Sequence, residues 1–194
     1  TLELTGDITV SGDWTNNGTF TAGTHGVTFD GSTSQSIAGN NMFYNLIING
    51  GATTTLLSNT NVLNDLSVNS YTILNLGVSI IDVNGATTIS SGGDVFISST
   101  FDADGLFDAT GGYVRILGSG NLNLSGNVIS LGTFTSSQGR VTYDGNSPQN
   151  IYNTNYYDLT INNSSGTNLI AGTSIFGNLN LSQGTLNHNT HTLT

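Results

Sequence analysis

The sequence predicts an all-β fold, a right-handed parallel β-helix (β-solenoid), from three observations. The first is composition. Of 194 residues, 36% are hydrophobic and only 7% charged, whereas 26 are Gly and a single one is Pro. So few charges argue against a disordered chain, and Gly with Asn, Ser and Thr supplies corners that do not depend on proline. The second is a succession of short apolar triplets separated by Gly, Asn or Ser, without helical periodicity. The third is self-similarity over a long offset.

The triplets are Ile8-Thr9-Val10, Val27-Thr28-Phe29, Leu46-Ile47-Ile48, Val95-Phe96-Ile97, Leu122-Asn123-Leu124 and Leu159-Thr160-Ile161. Each is three to five residues long, and they recur about every ten residues, the spacing of an all-β chain. The repeat is explicit. "GDITVSG" from Gly6 resembles "GNLNLSG" from Gly120, "GTFT" from Gly18 recurs from Gly132, and "VTFDG" from Val27 recurs as "VTYDG" from Val141. Gln35 and Ile37 match Gln149 and Ile151 at the same offset of 114. After a slip near Asn40, Asn41 and Met42, "FYNLIIN" from Phe43 meets "YYDLTIN" from Tyr156, and "VLNDLSV" from Val62 meets "IFGNLNL" from Ile175.

These matches divide the chain into a first copy, 1–119, with extra coils at about 81–119, and a second copy, 120–194, continuing the same solenoid. "THTLT" at the end and "TLELT" at the start fit one another, and Thr1 is not preceded by a signal peptide. The chain is therefore expected to be an excerpt of a longer array. Stacked coils of roughly 20 to 28 residues bury one continuous apolar column. At about 4.8 Å per rung they form a rod near 40 Å long, of about seven to nine rungs. Matched aromatic residues (Phe20 with Phe134, Phe29 with Tyr143, Tyr44 with Tyr157) are expected at equivalent points of that column. Tandem antiparallel sandwiches are the alternative, but they need longer alternating strands and tight hairpins.

Charge bounds the function. The net charge is −10, and Arg115 and Arg140 are the only basic residues besides three His. Too few cations remain to neutralise phosphates, so no nucleic acid is expected as a partner, nor an anionic membrane surface. No apolar run reaches the roughly 18 residues of a spanning helix, so no membrane insertion is expected. The absence of Cys removes disulfides and thiolate metal sites.

Candidate sites are sparse. Asp102, Asp104 and Asp108 around Gly105 could hold Ca2+ through carboxylate oxygens, although the acids of an EF-hand loop are incomplete; no other cofactor is expected. Trp14, Tyr152, Tyr156 and Tyr157 could stack on sugar rings, making surface glycans a candidate partner. Tyr156 and Tyr157 match Phe43 and Tyr44, however, which points to the core for at least one of each pair. Asp30 and Asp144 stand in "DG" turns, where Asp bonds its own backbone. Glu3 is the only Glu, so the paired carboxylates of a glycan-cleaving enzyme are lacking and no catalytic residue is expected. His188 and His191 would point to opposite sides of a strand and form no ligand set with His25. The Asn supply suits corners and side-chain ladders between rungs.

The run "WTNNGTFTAGTHGVTFDGSTSQSIAGNNMFYNLIING", its counterpart from Gly132 and the closing "NLNLSQGTLNHNTHTLT" resemble repeats of long secreted surface proteins of Bacteroidota, similar to adhesins and gliding-associated filaments. The resemblance covers both copies and is weaker over residues 81–119. It implies a β-solenoid, an extracellular address and a structural or adhesive role. Neighbouring repeats, or like subunits end to end, would be the partners.

Overall fold

The computed structural model describes all 194 residues and contains strands and turns but no helix. Each turn of the chain lays one short strand on each of three faces. The strand pairings are parallel throughout. The first face carries Leu2–Glu3, Phe20–Thr21, Asn41–Phe43, Thr60–Val62, Ile81–Val83, Thr100–Ala103, Asn121–Leu124 and Arg140–Tyr143. The second carries Ile8–Val10, Gly26–Phe29, Asn45–Ile48, Leu66–Val68, Thr87–Ile89, Phe107–Asp108, Val128–Ser130 and, against the last of these, Gln149–Ile151. The third carries Trp14–Asn16, Gln35–Gly39, Thr53–Leu56, Ile73–Asn75, Asp94–Ile97, Tyr113–Ile116 and Thr133–Ser136.

In the last turns the corner between the first two faces is straightened. Asp158–Leu169 pairs with Arg140–Tyr143 through its first half and with Gln149–Ile151 through its second, and Leu179–Asn187 lies along it. First-face rungs from Leu2 to Leu179 enclose nine turns, about 43 Å at about 4.8 Å each. The fold is a parallel β-solenoid, as the sequence predicts.

The strands form where they do because alternation buries one side of each. Leu122 and Leu124 point inward and are fully buried, while Asn121 and Asn123 between them face out. The inward residues of all three faces make one core cluster, which includes both Phe29 and Tyr143. A single core excludes the tandem-sandwich alternative. The strands lie closer together than the triplets suggest, because three of them share a coil of only 18 to 23 residues, set by partners such as Leu2 with Phe20 and Trp14 with Ile37. Thr-rich strands such as Thr53–Leu56 and Thr60–Val62 fill the gaps. Residues 81–119 contribute coils in register with the rest, Ile81 pairing with Phe101 and Asn121 with Thr100.

One expectation is corrected. Matched residues do not occupy one column, because the repeat offset is not a whole number of turns. Val27–Phe29 lies on the second face, and its match Val141–Tyr143 on the first. Likewise Gln35 lies on the third face and Gln149 on the second, and Phe20 on the first and Phe134 on the third. Ile8 and its match Leu122 are six coils apart less one face, so the unit advances five and two-thirds turns. The second copy is the first rotated by a third of a turn about the common axis.

Candidate functional site

The most constructed feature is a corner that occurs twice. Gln35 is buried, and its Oε1 accepts from Gly31 N at 2.7 Å. Its Nε2 donates to Val10 O at 2.8 Å and Gly12 O at 2.6 Å in the preceding coil. Gln149 repeats each bond, to Gly145 N at 2.9 Å, Leu124 O at 2.7 Å and Gly126 O at 2.8 Å. Beside each glutamine an Asp reaches back to the same corner, Ser11 Oγ donating to Asp30 at 2.6 Å and Ser125 Oγ to Asp144 at 2.9 Å. The side-chain bond of the "DG" aspartates thus goes to a serine one coil away. The glycines are required by approach: a Cβ at Gly31 or Gly145 would run into the glutamine side chain. These bonds clamp successive coils, satisfying buried backbone groups that would otherwise be orphaned at a bend.

Asn and Asp also work between rungs. Asp7 accepts from Gly26 N, Asn59 from Ile80 N, Asp65 from Ala86 N and Asp158 from Asn178 N, each about one coil later. Two like pairs form as the sequence suggests, Asn64 donating to Asn45 and Asn69 to Asn49, both at 2.8 Å.

The acidic candidates are dispersed. Asp102 faces outward on the first face between Asp82 and Asn123, Asp104 is exposed at the next corner, and Asp108 lies on the second face, accepting from Thr110 N and Oγ1. No three His, Asp, Glu or Cys side chains are grouped to hold a metal ion. The Asp102, Asp104 and Asp108 expectation is corrected accordingly, because the corner at Gly105 turns the third carboxylate onto another face. What the ladder does is electrostatic. Burial, then the neighbouring Asp144, Asp104 and Asp82, push the Asp102 carboxyl up to about 6. Burial also raises Asp82 and Asp144.

The aromatic candidates are mostly interior. Tyr156 is fully buried, and Tyr143 joins it hydroxyl to hydroxyl at 3.0 Å. Tyr156 donates to Tyr152 O at 2.7 Å, and Tyr152 N donates to the Tyr143 oxygen at 3.0 Å. Tyr152 packs against the core, its hydroxyl 3.3 Å from Ser130 Oγ. Trp14 also packs on the core, 5.0 Å from Phe20 ring to ring, with Nε1 donating to Asn41 Oδ1 at 2.8 Å. Tyr157 alone of the four is a half-exposed surface ring outside the core, its backbone N donating to Ser136 Oγ. The four do not form a glycan platform, because the inward phase of the strands takes Trp14, Tyr152 and Tyr156 into the core.

The exposed aromatic rings are Tyr71, 82% exposed, and Phe176, 71% exposed. Tyr71 has φ of 62°, a left-handed value that glycine usually takes; its N donates to Gly92 O of the next coil at 3.2 Å, and a Cβ at Gly92 would meet the Tyr71 ring. Its sequence signal is faint, since "NSY" stands where later corners read "SSGG" and "ATGG". Arg115 is half-buried, its Nε 2.9 Å from Asp94, and its guanidinium lies 5.0 Å from the Tyr113 ring centre and 5.8 Å from that of Phe96. His188 and His191 stand in a turn and not in a strand, His191 N donating to His188 O.

No protein-family model, curated protein or solved structure matches the chain.

Proposed function

We propose that the chain is a structural repeat module of an extracellular bacterial surface adhesin or filament, acting as a rigid stalk. The supporting observation is mechanical. One dry core runs the length of the solenoid, with parallel ladders on all three faces and clamps at the corners. Bending such a body requires breaking ladder bonds on one side, so the module holds its ends at a fixed distance. Durability fits the same role. Of the two tryptic positions, Arg115 is held by Asp94 and two rings, which leaves Arg140, exposed at a strand start. The resemblance to surface-protein repeats supports the extracellular address, and the reading involves no catalysis.

Labelling intact cells with antibody to the folded module tests this. Continuous fibres at the cell surface are expected, and label that appears only after the cells are permeabilised would overturn the reading. Trypsin supplies a second check: the folded module should resist for hours under conditions that digest an unfolded control within minutes.

A carbohydrate-binding module is the second reading, supported by the exposed Tyr71 ring. Binding on a glycan array that disappears in Tyr71→Ala would establish it.

A further inference from the structure

We propose that the third face binds a neutral glycan across Asp94, Phe96, Tyr113 and Arg115, with the Tyr71 ring at the edge of the site. The proposal rests on the carbohydrate-binding reading and gives it a place, on two coils that have paired neighbours on either side.

The four residues fill every outward position of two successive strands. Asp94 pairs with Tyr113 and Phe96 with Arg115, while Val95, Ile97, Val114 and Ile116 between them are buried in the core. The block interrupts ordinary polar ladders. One column runs Thr53, Ile73, Asp94, Tyr113, Thr133, and the other Thr55, Asn75, Phe96, Arg115, Thr135. Every other aromatic residue within a strand packs in or against the core, so Phe96 and Tyr113 are the only rings that a strand presents outward. Arg115 is one of two Arg in a chain without Lys. Thr and Asn suffice to build this face elsewhere, so the block has a use other than strand pairing.

Its geometry is that of a prepared surface. The ion pair takes one diagonal of the block and the rings take the other. Arg115 Nε lies 2.9 Å from one Asp94 oxygen and donates to the other at 3.1 Å. The guanidinium stands 5.0 Å from the centre of the Tyr113 ring and 5.8 Å from that of Phe96. Only Nε is bonded, which leaves both Nη groups free. A guanidinium already held by a carboxylate and two rings loses little further freedom on binding.

Rings beside free donors and a carboxylate match the two characters of a sugar. Its C–H face packs on Phe96 and Tyr113, and its hydroxyls accept from Nη and donate to Asp94. Tyr71 adds a third ring at the adjoining corner, where it reaches Gly92, two residues before Asp94. Charge selects the class of glycan. Asp94 and Arg115 cancel within the block, and the chain as a whole carries −10, so a polyanionic glycan is repelled.

The test titrates the whole chain with neutral oligosaccharides (cellohexaose, xylohexaose, mannohexaose, laminarihexaose and maltohexaose) and with hexagalacturonate, by calorimetry. At least one neutral oligomer should bind, and hexagalacturonate should not. Phe96→Thr with Tyr113→Thr places on the block the residue type that its columns carry at Thr55 and Thr133, and should weaken binding at least tenfold. Nuclear magnetic resonance of the parent chain gives a second measurement that needs no variant. The bound oligomer should shift signals of Tyr71, Asp94, Phe96, Tyr113 and Arg115. Neutral binding that leaves those signals unmoved would overturn this site while the carbohydrate-binding reading stands. Binding of hexagalacturonate alone would overturn the neutral class, and a parent chain that binds none of the sugars would overturn both the site and that reading.

Discussion

Phe29 and Phe43 meet edge to face at 6.0 Å, and their repeat partners Tyr143 and Tyr156 meet through their hydroxyls. The two hydroxyls are therefore present together or absent together, as a buried polar pair requires. Both phenols are held protonated, burial pushing Tyr143 up to about 12 and Tyr156 well above its ordinary value. Tyr143→Phe strips the partner from Tyr152 N and should cost about 1–3 kcal/mol in urea unfolding. Phe29→Tyr should cost a similar amount by burying a hydroxyl without an acceptor at hand. Thr87 offers the converse, since its Oγ1 is buried with no hydrogen-bond partner. Thr87→Val keeps the shape and removes the orphan, so the midpoint should rise, by about 1 kcal/mol in stability. The apolar members of these pairs were legible as core from alternation. The hydroxyl pairing was not, because Tyr143 and Tyr156 are joined across two faces.

At the scale of the element, the corner clamp and the acidic ladder act in opposite directions. Gln149→Leu leaves Gly145 N, Leu124 O and Gly126 O without their side-chain partner, and should lower stability by about 2 kcal/mol or more. Asparagine or serine changes at exposed corners should have much smaller effects. The ladder makes stability depend on pH. The Asp102 carboxyl has a folded value of about 6 against 3.8 in the free chain. The folded state therefore disfavours the charged form. Its penalty is absent below the lower value, grows as pH rises between the two, and is complete above about 6. Asp102→Asn should raise Tm at pH 7.5 and leave it unchanged at pH 3.5; an equal gain at both would exclude an electrostatic cause. The sequence showed the acids of this loop as one group. A corner at Gly105 separates them, and the partners that matter to Asp102 come from other coils.

The whole molecule behaves as a stack, in which each coil is held by the coils on either side. Removal of residues 81–100 takes out one first-face turn, since Ile81 pairs with Phe101. The shortened chain should fold, with loops absorbing small differences on the other faces, and should show a β-sheet circular dichroism spectrum with a lower midpoint. Removal of 81–90 alone shifts the faces by half a turn and should abolish cooperative unfolding. Equal tolerance of both deletions would mean that coil register does not hold the fold together.

The sequence by itself determined an all-β chain, the apolar triplets with their inward sides, and the presence of a long repeat. The strands and corners are local, written in alternation and in Gly and Asn residues, and local energies decide them; the repeat is read by comparing distant stretches of the sequence. Only the tertiary structure decided the phase. Coil length is the sum of several corners, each free to vary by a residue or two, and strand pairing between coils selects the sum. That selection places the repeat at five and two-thirds turns, moves matched residues to different faces, and takes Trp14, Tyr152 and Tyr156 into the core instead of to the surface.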